Sequence, residues 1–107
     1  MPELIVILTT VQQMAEAERL AEGLVSNRLA ACVQILPQIT SVYAWEERTV
    51  RDSEHLLLVK TTVDRFEEAD KYIRDNHSYD VPEVVGIAAE RFSEAYGDWL
   101  AGWVSIR

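Results

Sequence analysis

A short stretch in the last third of the sequence gathers side chains whose types and spacing suit metal binding. Residues 77–83 read HSYDVPE, which places an imidazole, a phenol and two carboxylates within seven positions. Imidazole is a common ligand of copper and zinc, and carboxylates supply oxygen ligands. His77, Asp80 and Glu83 are therefore candidate ligands of a divalent metal ion.

The same stretch also has a structural interpretation, which we expect to come first. His77 follows a predicted helix, so its ring can cap the helix end and hydrogen-bond the loop. Pro82 restricts the residue before it to extended geometry, and Tyr79 is expected to pack its ring and to bond through its hydroxyl. In this interpretation HSYDVPE is first a rigid turn into a strand. A metal-binding or ligand-binding role at a subunit junction would be a second role of the same residues.

Lys60 and Trp45 complete the candidates for a ligand site at such a junction. Lys60 ends the third predicted strand, where the loop before the fourth strand can pass near it and offer Asp80 or Glu83 as an ion-pair partner. Such pairs are more often structural than catalytic. An enzyme that uses Lys60, His77 and Asp80 ranks last among the functions, because the sequence has no nucleophile–base pair or metal motif of known spacing.

Three other residues are predicted to be structural. Cys32 lies among small residues of a strand, and free cysteine is among the most buried residue types, so we expect it in the core. A Cys32–His77 nucleophilic pair is the alternative. Tyr96 and Trp99 stand at helical spacing and predict the packing face of a C-terminal helix.

The hydrophobic pattern predicts a single domain over residues 1–107 with four strands and three helices. The predicted strands are 4–8, 30–45 with a bend at Pro37, 48–61 and 84–89. The predicted helices run from Thr10 to about Asn27, from Thr62 to about Asn76, and around residues 96–103. This β-α-β-β-α-β order with an added C-terminal helix is the α+β, ferredoxin-like split βαβ arrangement.

The second and third strands form a hairpin that is too long for a small domain. Sixteen residues at ~3.3 Å each reach ~50 Å, whereas a compact domain of this size measures ~35 Å across. The connection EERT at 46–49 lacks the Asn-Gly or Asp-Gly signature of the tightest turns. Because Val42, Tyr43 and Trp45 lie near the projecting tip, we expect the hairpin to pair with other subunits and close a ring, unless Trp45 folds back onto its own chain.

Composition limits the partners. The 107 residues carry a net charge of −8 and have no cluster of Lys and Arg, which argues against nucleic acid and anionic membranes. The single cysteine excludes an internal disulfide and fits a reducing compartment. The apolar runs are too short for a membrane span, and we expect a cytoplasmic protein.

Several motifs, in the right order, resemble one family. RLAACVQILP at 28–37, ITSVYAWEE at 39–47, DSEHLLLVKTT at 52–62, HSYDVPEVV at 77–85 and the Tyr96–Trp99 pair are similar to the CutA divalent-cation tolerance proteins. The resemblance implies a ferredoxin-like fold, a homotrimer closed by swapped hairpins, and an association with copper and other divalent cations. It also implies a sheet arrangement like that of the PII signalling proteins.

The sequence departs from the family pattern at several positions, some of which bear on metal binding. Ser78 replaces a proline and Glu47 a hairpin glycine. Some members carry a cysteine after strand one and two adjacent histidines that are proposed copper ligands. Here those positions hold Thr9, Asn76 and His77, so one of the three ligands remains.

We therefore predict a non-enzymatic, trimeric divalent-metal tolerance or response protein, with Cu(II) as the candidate ion and weak binding near His77 at subunit junctions. The alternative is a PII-like sensor that binds an anion or nucleotide in clefts between subunits. The absence of a Gly-rich phosphate loop argues against that alternative.

Overall fold

The fold was analysed in a computed structural model that describes residues 2–106, within which one four-stranded antiparallel sheet carries three α-helices. The strand order is β2-β3-β1-β4, and the arrangement confirms the predicted α+β class and element order. No helix in this part of the chain combines the length and the apolar character needed to cross a membrane. The elements are β1 Leu4–Val11, α1 Met14–Ser26, β2 Cys32–Trp45, β3 Arg48–Thr62, a 3-10 helix Val63–Arg65, α2 Phe66–Asp75, β4 Val85–Ala89 and α3 Glu94–Val104.

The first strand is longer than its apolar run indicates. Thr10 and Val11 continue the ladder by pairing with Leu56 and His55 of β3. Helix α1 therefore begins only at Met14, and the predicted start of this helix at Thr10 is wrong. Strand pairing decides this boundary, and a helix-cap pattern in the sequence cannot reveal it.

The β2–β3 hairpin closes through a tighter turn than EERT suggests. Only Glu46 and Glu47 connect the strands, and both have positive φ values of 50° and 60°. Two residues in this conformation match the twist of the flanking strands, although glycine and asparagine adopt it at lower cost. The predicted irregularity at Pro37 is confirmed, because the register shifts between Leu36 and Ile39.

The hairpin gives the chain an elongated shape. The principal extents are 44 × 25 × 22 Å. Val42 and Trp45 near the tip are 57% and 51% exposed. The Trp45 side chain is therefore not buried against its own chain. The projecting hairpin is confirmed.

Helices α1 and α2 cover one face of the sheet. Side chains alternate between the faces of a strand, and one set packs beneath these two helices in a fully buried cluster. Its members from the sheet are Ile7, Val11, Leu57 and Val59, and its members from the helices include Leu20, Leu24 and Ile73.

Helix α3 covers only one end of the sheet. Leu100 and Val104 pack on Leu4 and Ala31 in a second, smaller cluster. The Trp103 indole N–H donates to the carbonyl of Val25 at 3.0 Å, which fastens α3 to the end of α1.

The other face of the sheet is apolar and largely uncovered; we call it the open face. Neighbours in the ladder identify its members, since Leu8 pairs with both Leu58 and Val85, and Val6 pairs with Ile87. Val85 and Ile87 are 48% and 51% exposed. The open face comprises Val6, Leu8, Leu36, Leu56, Leu58, Val85 and Ile87.

Within residues 2–106, the buried hydroxyls of Thr9 and Thr61, which lie under the helices, have no hydrogen-bond partner. Such a group costs stability. We predict that Thr61→Val, which keeps the side-chain shape, raises the free energy of unfolding by about 1 kcal/mol. Chemical denaturation measures the change, with exposed Thr49→Val as the control that should stay near zero. A destabilised Thr61→Val variant would contradict the prediction.

Candidate functional site

His77 is held inside the loop between α2 and β4. Its side chain is fully buried. The backbone N–H of Tyr79 donates to His77 Nδ1 at 3.0 Å, so Nδ1 carries no proton and Nε2 donates to the carbonyl of Thr10 at 2.8 Å. Both ring nitrogens are therefore engaged, and a metal could reach Nδ1 only by displacing the Tyr79 bond. The geometry favours the structural interpretation of this histidine.

Glu16 is the main anchor of the loop, and sequence reasoning missed it. Its carboxylate accepts the Ser78 backbone N–H at 2.8 Å and the Ser78 hydroxyl at 2.9 Å. Glu16 lies off the apolar stripe of α1, which predicts a solvated position, but the residue is only 6% exposed and that prediction is wrong. Glu16 lies in the first turn of α1, where an acidic residue often satisfies N–H groups.

Ser78 makes this anchor possible. The family pattern places proline at this position, and a proline has no N–H to donate. The departure from the pattern therefore supplies both donors that Glu16 accepts. Hydrogen bonds from His77, Ser78 and Tyr79 to residues of other elements thus fix the loop.

Tyr79 and Tyr43 each donate a phenolic hydrogen bond to a carboxylate. The Tyr79 hydroxyl donates to Glu54 at 2.7 Å, and the Tyr43 hydroxyl donates to Asp52. Burial raises the pKa of Tyr79 well above its ordinary value, and the bond to Glu54 raises it further. The bond to Asp52 raises the pKa of Tyr43. Both phenols stay protonated at neutral pH and orient the carboxylates they bond.

A cavity of about 610 Å³ opens between the loop and the outer half of the β2–β3 hairpin. We call it the acidic cavity, because Glu54, Asp80 and Glu83 line it and no Lys, Arg or His does so among the described residues. Two of the three predicted metal ligands thus share one cavity, and His77 is not part of its lining. The lining also includes Tyr43, Trp45 and Tyr79, with Thr10, Gln12, Ser41, Val42, Ala44 and Val81.

The carboxylates of this cavity do not form a ready metal centre. Within residues 2–106, no group of three or more His, Cys, Asp or Glu side chains is arranged to hold one ion. Asp80 and Glu83 project from an exposed loop segment. They offer oxygen ligands that another chain or water would have to complete.

Lys60 lies far from the acidic loop. It pairs with Val6 and Cys32 in the ladder, six residues along β3 from Glu54, which is about 20 Å of strand. Its ammonium group lies 5.8 Å from the centre of the Tyr96 ring. The expected ion pair with Asp80 or Glu83 is absent from the described residues, because the register separates them.

Cys32, Tyr96 and Trp99 lie on the side of the open face. Cys32 is half-buried and not part of the core. Burial raises the pKa of Tyr96, and the neighbouring Cys32 thiol raises it further. Trp99 is 54% exposed and packs on Tyr96 with ring centres 5.6 Å apart. Within the chain, α3 turns Gly97, Leu100 and Val104 inward, so the predicted packing role of Trp99 is not fulfilled by its own chain.

Pro82 lies in the loop just before β4, which begins at Val85. The residue before it, Val81, is 74% exposed and lines the acidic cavity. The loop therefore turns His77 toward the protein interior, whereas Tyr79, Val81 and the two acidic residues line the cavity.

Comparison with known proteins identifies a consistent group. Residues 5–102 match the family described as CutA1 divalent ion tolerance protein. The chain is 43% identical over 95 residues to the divalent-cation tolerance protein CutA of Thermus thermophilus, which covers 89% of this chain and 92% of that protein. It is 42% identical over 96 residues to the chloroplastic protein CutA of Arabidopsis thaliana, covering 90% of this chain and 53% of that protein. The chain thus spans about half the length of the plant relative.

Solved structures agree with the sequence matches. CutA1 from Oryza sativa has a TM-score of 0.95 at 36% identity, covering 99% of this chain and 97% of that one. The divalent cation tolerance protein Cut A1 from Thermus thermophilus has a TM-score of 0.91 at 41% identity, covering 92% and 96%.

The raised pKa of Tyr79 predicts a loss of stability in alkali. Above pH ~10 the unfolded chain releases its phenolic proton while folded Tyr79 keeps it, so stability falls as pH rises. Between pH 9 and about pH 11, the midpoint of thermal unfolding should fall less in Tyr79→Phe than in the wild type. Tyr72→Phe, which removes a phenol from α2, is the control and should follow the wild type. An equal fall in all three proteins would refute the prediction.

Proposed function

The chain belongs to the CutA1 divalent ion tolerance protein family, and from this premise we propose that it acts as a non-enzymatic homotrimer in divalent-cation tolerance. The observation that carries the proposal is the open face. An antiparallel sheet that is solvated on one side alternates apolar and polar residues. Strands β1 and β4 are apolar on both sides, so the open face needs cover that this chain does not supply.

Copies of the same chain can cover the open face. Strands β2 and β4 are the two free edges of the sheet, and each presents unpaired backbone groups. A contact between the β2 edge of one copy and the β4 edge of the next uses two different surfaces, and such contacts close into rings. The projecting hairpin lengthens the β2 edge beyond its own globule, and the family resemblance supports a ring of three.

The exposed aromatic residues fit the same assembly. Tyr96 and Trp99 stand beside the open face, and Trp45 stands near the hairpin tip. Aromatic residues are enriched where protein surfaces meet. In a trimer, Tyr96 and Trp99 would be covered by neighbouring copies, and Trp45 would lie where two copies meet.

Divalent cations would bind weakly, through carboxylates. Asp80 and Glu83 are exposed and have no ion-pair partner among the described residues. Oxygen ligands bind many divalent ions with little selectivity, so Cu(II) binding at this loop needs help from water or a neighbouring copy. His77 contributes by holding the loop and not as a ligand.

The alternative of a PII-like sensor for an anion or nucleotide has less support. The acidic cavity presents three carboxylates and none of the cationic side chains that phosphate recognition requires. Lys60, the cation named for that role, lies at the other end of the strand.

The open face gives the test of assembly. We predict that Ile87→Asp, which places a charge on this face, lowers the mass measured by multi-angle light scattering from three chains to one. Val63→Asp is the matched control, because Val63 is 40% exposed and lies outside the sheet, in the 3-10 helix. Retention of the trimer mass by Ile87→Asp, or its loss in Val63→Asp, would contradict the proposal.

Calorimetric titration with Cu(II) tests the loop. We expect weak binding that the double variant Asp80→Asn/Glu83→Gln reduces at least about fivefold, since it removes the oxygen charges. Glu18→Gln/Glu22→Gln changes the net charge equally on an exposed helix face and should bind as the wild type does.

The histidine is tested in the same titration. His77→Ala should lower the unfolding midpoint, because it removes two hydrogen bonds, while the copper isotherm changes less than about twofold. Loss of copper binding in His77→Ala, with the protein still folded, would show that His77 is a metal ligand.

A further inference from the structure

Glu54 is a buried carboxylate without a cation. It is 5% exposed, and its hydrogen bond comes from the neutral phenol of Tyr79. No Lys, Arg or His lies within ion-pair distance of it among residues 2–106. Buried carboxylates are normally paired with a cation or bound by several donors. Among the described residues, the Tyr79 hydroxyl is the one hydrogen-bond donor to the Glu54 carboxylate.

The acidic cavity places this charge next to aromatic and apolar surface. Trp45 and Tyr43 form part of its wall on the hairpin side, and Val81 lies on the loop side. A cation over the face of a tryptophan or tyrosine is attracted by the ring, most strongly when water is excluded. The volume of about 610 Å³ is within the range of small-molecule sites.

We propose that the acidic cavity binds an organic ammonium ion, with the charged nitrogen near Glu54 and its apolar part against Trp45. Three carboxylates in the lining exclude anions. A hydrated divalent ion could use Asp80 and Glu83, but it would gain nothing from the aromatic wall. The cavity shares Asp80 and Glu83 with the divalent-cation proposal, whereas Glu54 and Trp45 carry the binding of the ammonium ion, so variants of these two residues test this inference separately.

A neighbouring copy offers a competing cation. Arg48 and Arg51 lie near the hairpin tip, and their guanidinium groups could occupy the cavity of the next chain in a ring. Glu54 would then pair with an arginine of the next chain, and a small ammonium ion would not enter the cavity. The titration below distinguishes an arginine-filled cavity from one that is open to the ammonium ion.

The test is an NMR titration of the assembled, metal-free protein with benzyltrimethylammonium. The neutral analogue is benzyl alcohol, which has the same ring without the charge. Wild-type protein should show saturable shifts of the Trp45 indole and of backbone signals at 79–83 with the cation, and none with the alcohol. The absence of shifts with the cation, as expected if a neighbouring arginine fills the cavity, overturns the proposal.

Variants assign the binding to the proposed residues. Glu54→Gln keeps an acceptor for Tyr79 and should weaken binding at least about tenfold, and Trp45→Ala at least about fivefold. Glu22→Gln removes one charge from an exposed helix position and should bind within about twofold of the wild type. Equal weakening by Glu54→Gln and Glu22→Gln would mean non-specific attraction to an acidic protein and would overturn the proposal. Because no metal is present, the result is separate from the copper titration.

Discussion

The sheet of this protein is apolar on both faces, while its helices cover one face and a single end of the other. Burial of apolar surface is the dominant favourable contribution to folding and association, so a bare face with Val85 and Ile87 half exposed is a strong constraint on the whole molecule. If copies of the chain cover one another, this assembly explains the long hairpin, the two free sheet edges and the exposed Trp99. None of them is explained by the monomer alone.

The loop at 77–83 depends on a second, smaller set of interactions. Glu16 holds Ser78, the Thr10 carbonyl holds His77, and Glu54 holds Tyr79, so three separate elements fix one loop. Its histidine thereby faces inward, and its tyrosine lies against Glu54. Asp80 and Glu83 are left on the side of the acidic cavity, which is where both proposed cation sites lie.

Much of the fold could be predicted from the spacing of apolar residues along the sequence, because this spacing differs between strands and helices. The bend at Pro37 also followed from chemistry, since proline cannot donate to a ladder. The tight turn at Glu46 and Glu47 could not be predicted, because glutamate rarely takes positive φ. The residues of the candidate site were harder to predict from the sequence. The sequence around Glu16 predicts a solvated helix position, and only the fold brings Ser78, 62 positions away, within hydrogen-bond distance of it. The separation of Lys60 from Asp80 likewise depends on register, which composition does not reveal.

Sedimentation velocity of the wild-type chain across a dilution series into the low micromolar range tests the central claim most directly. If the open face is covered by copies of the chain, the protein should sediment as one species of three times the 12.2 kDa chain mass at every concentration. A species of 12.2 kDa that persists as a folded monomer throughout the series would contradict the account.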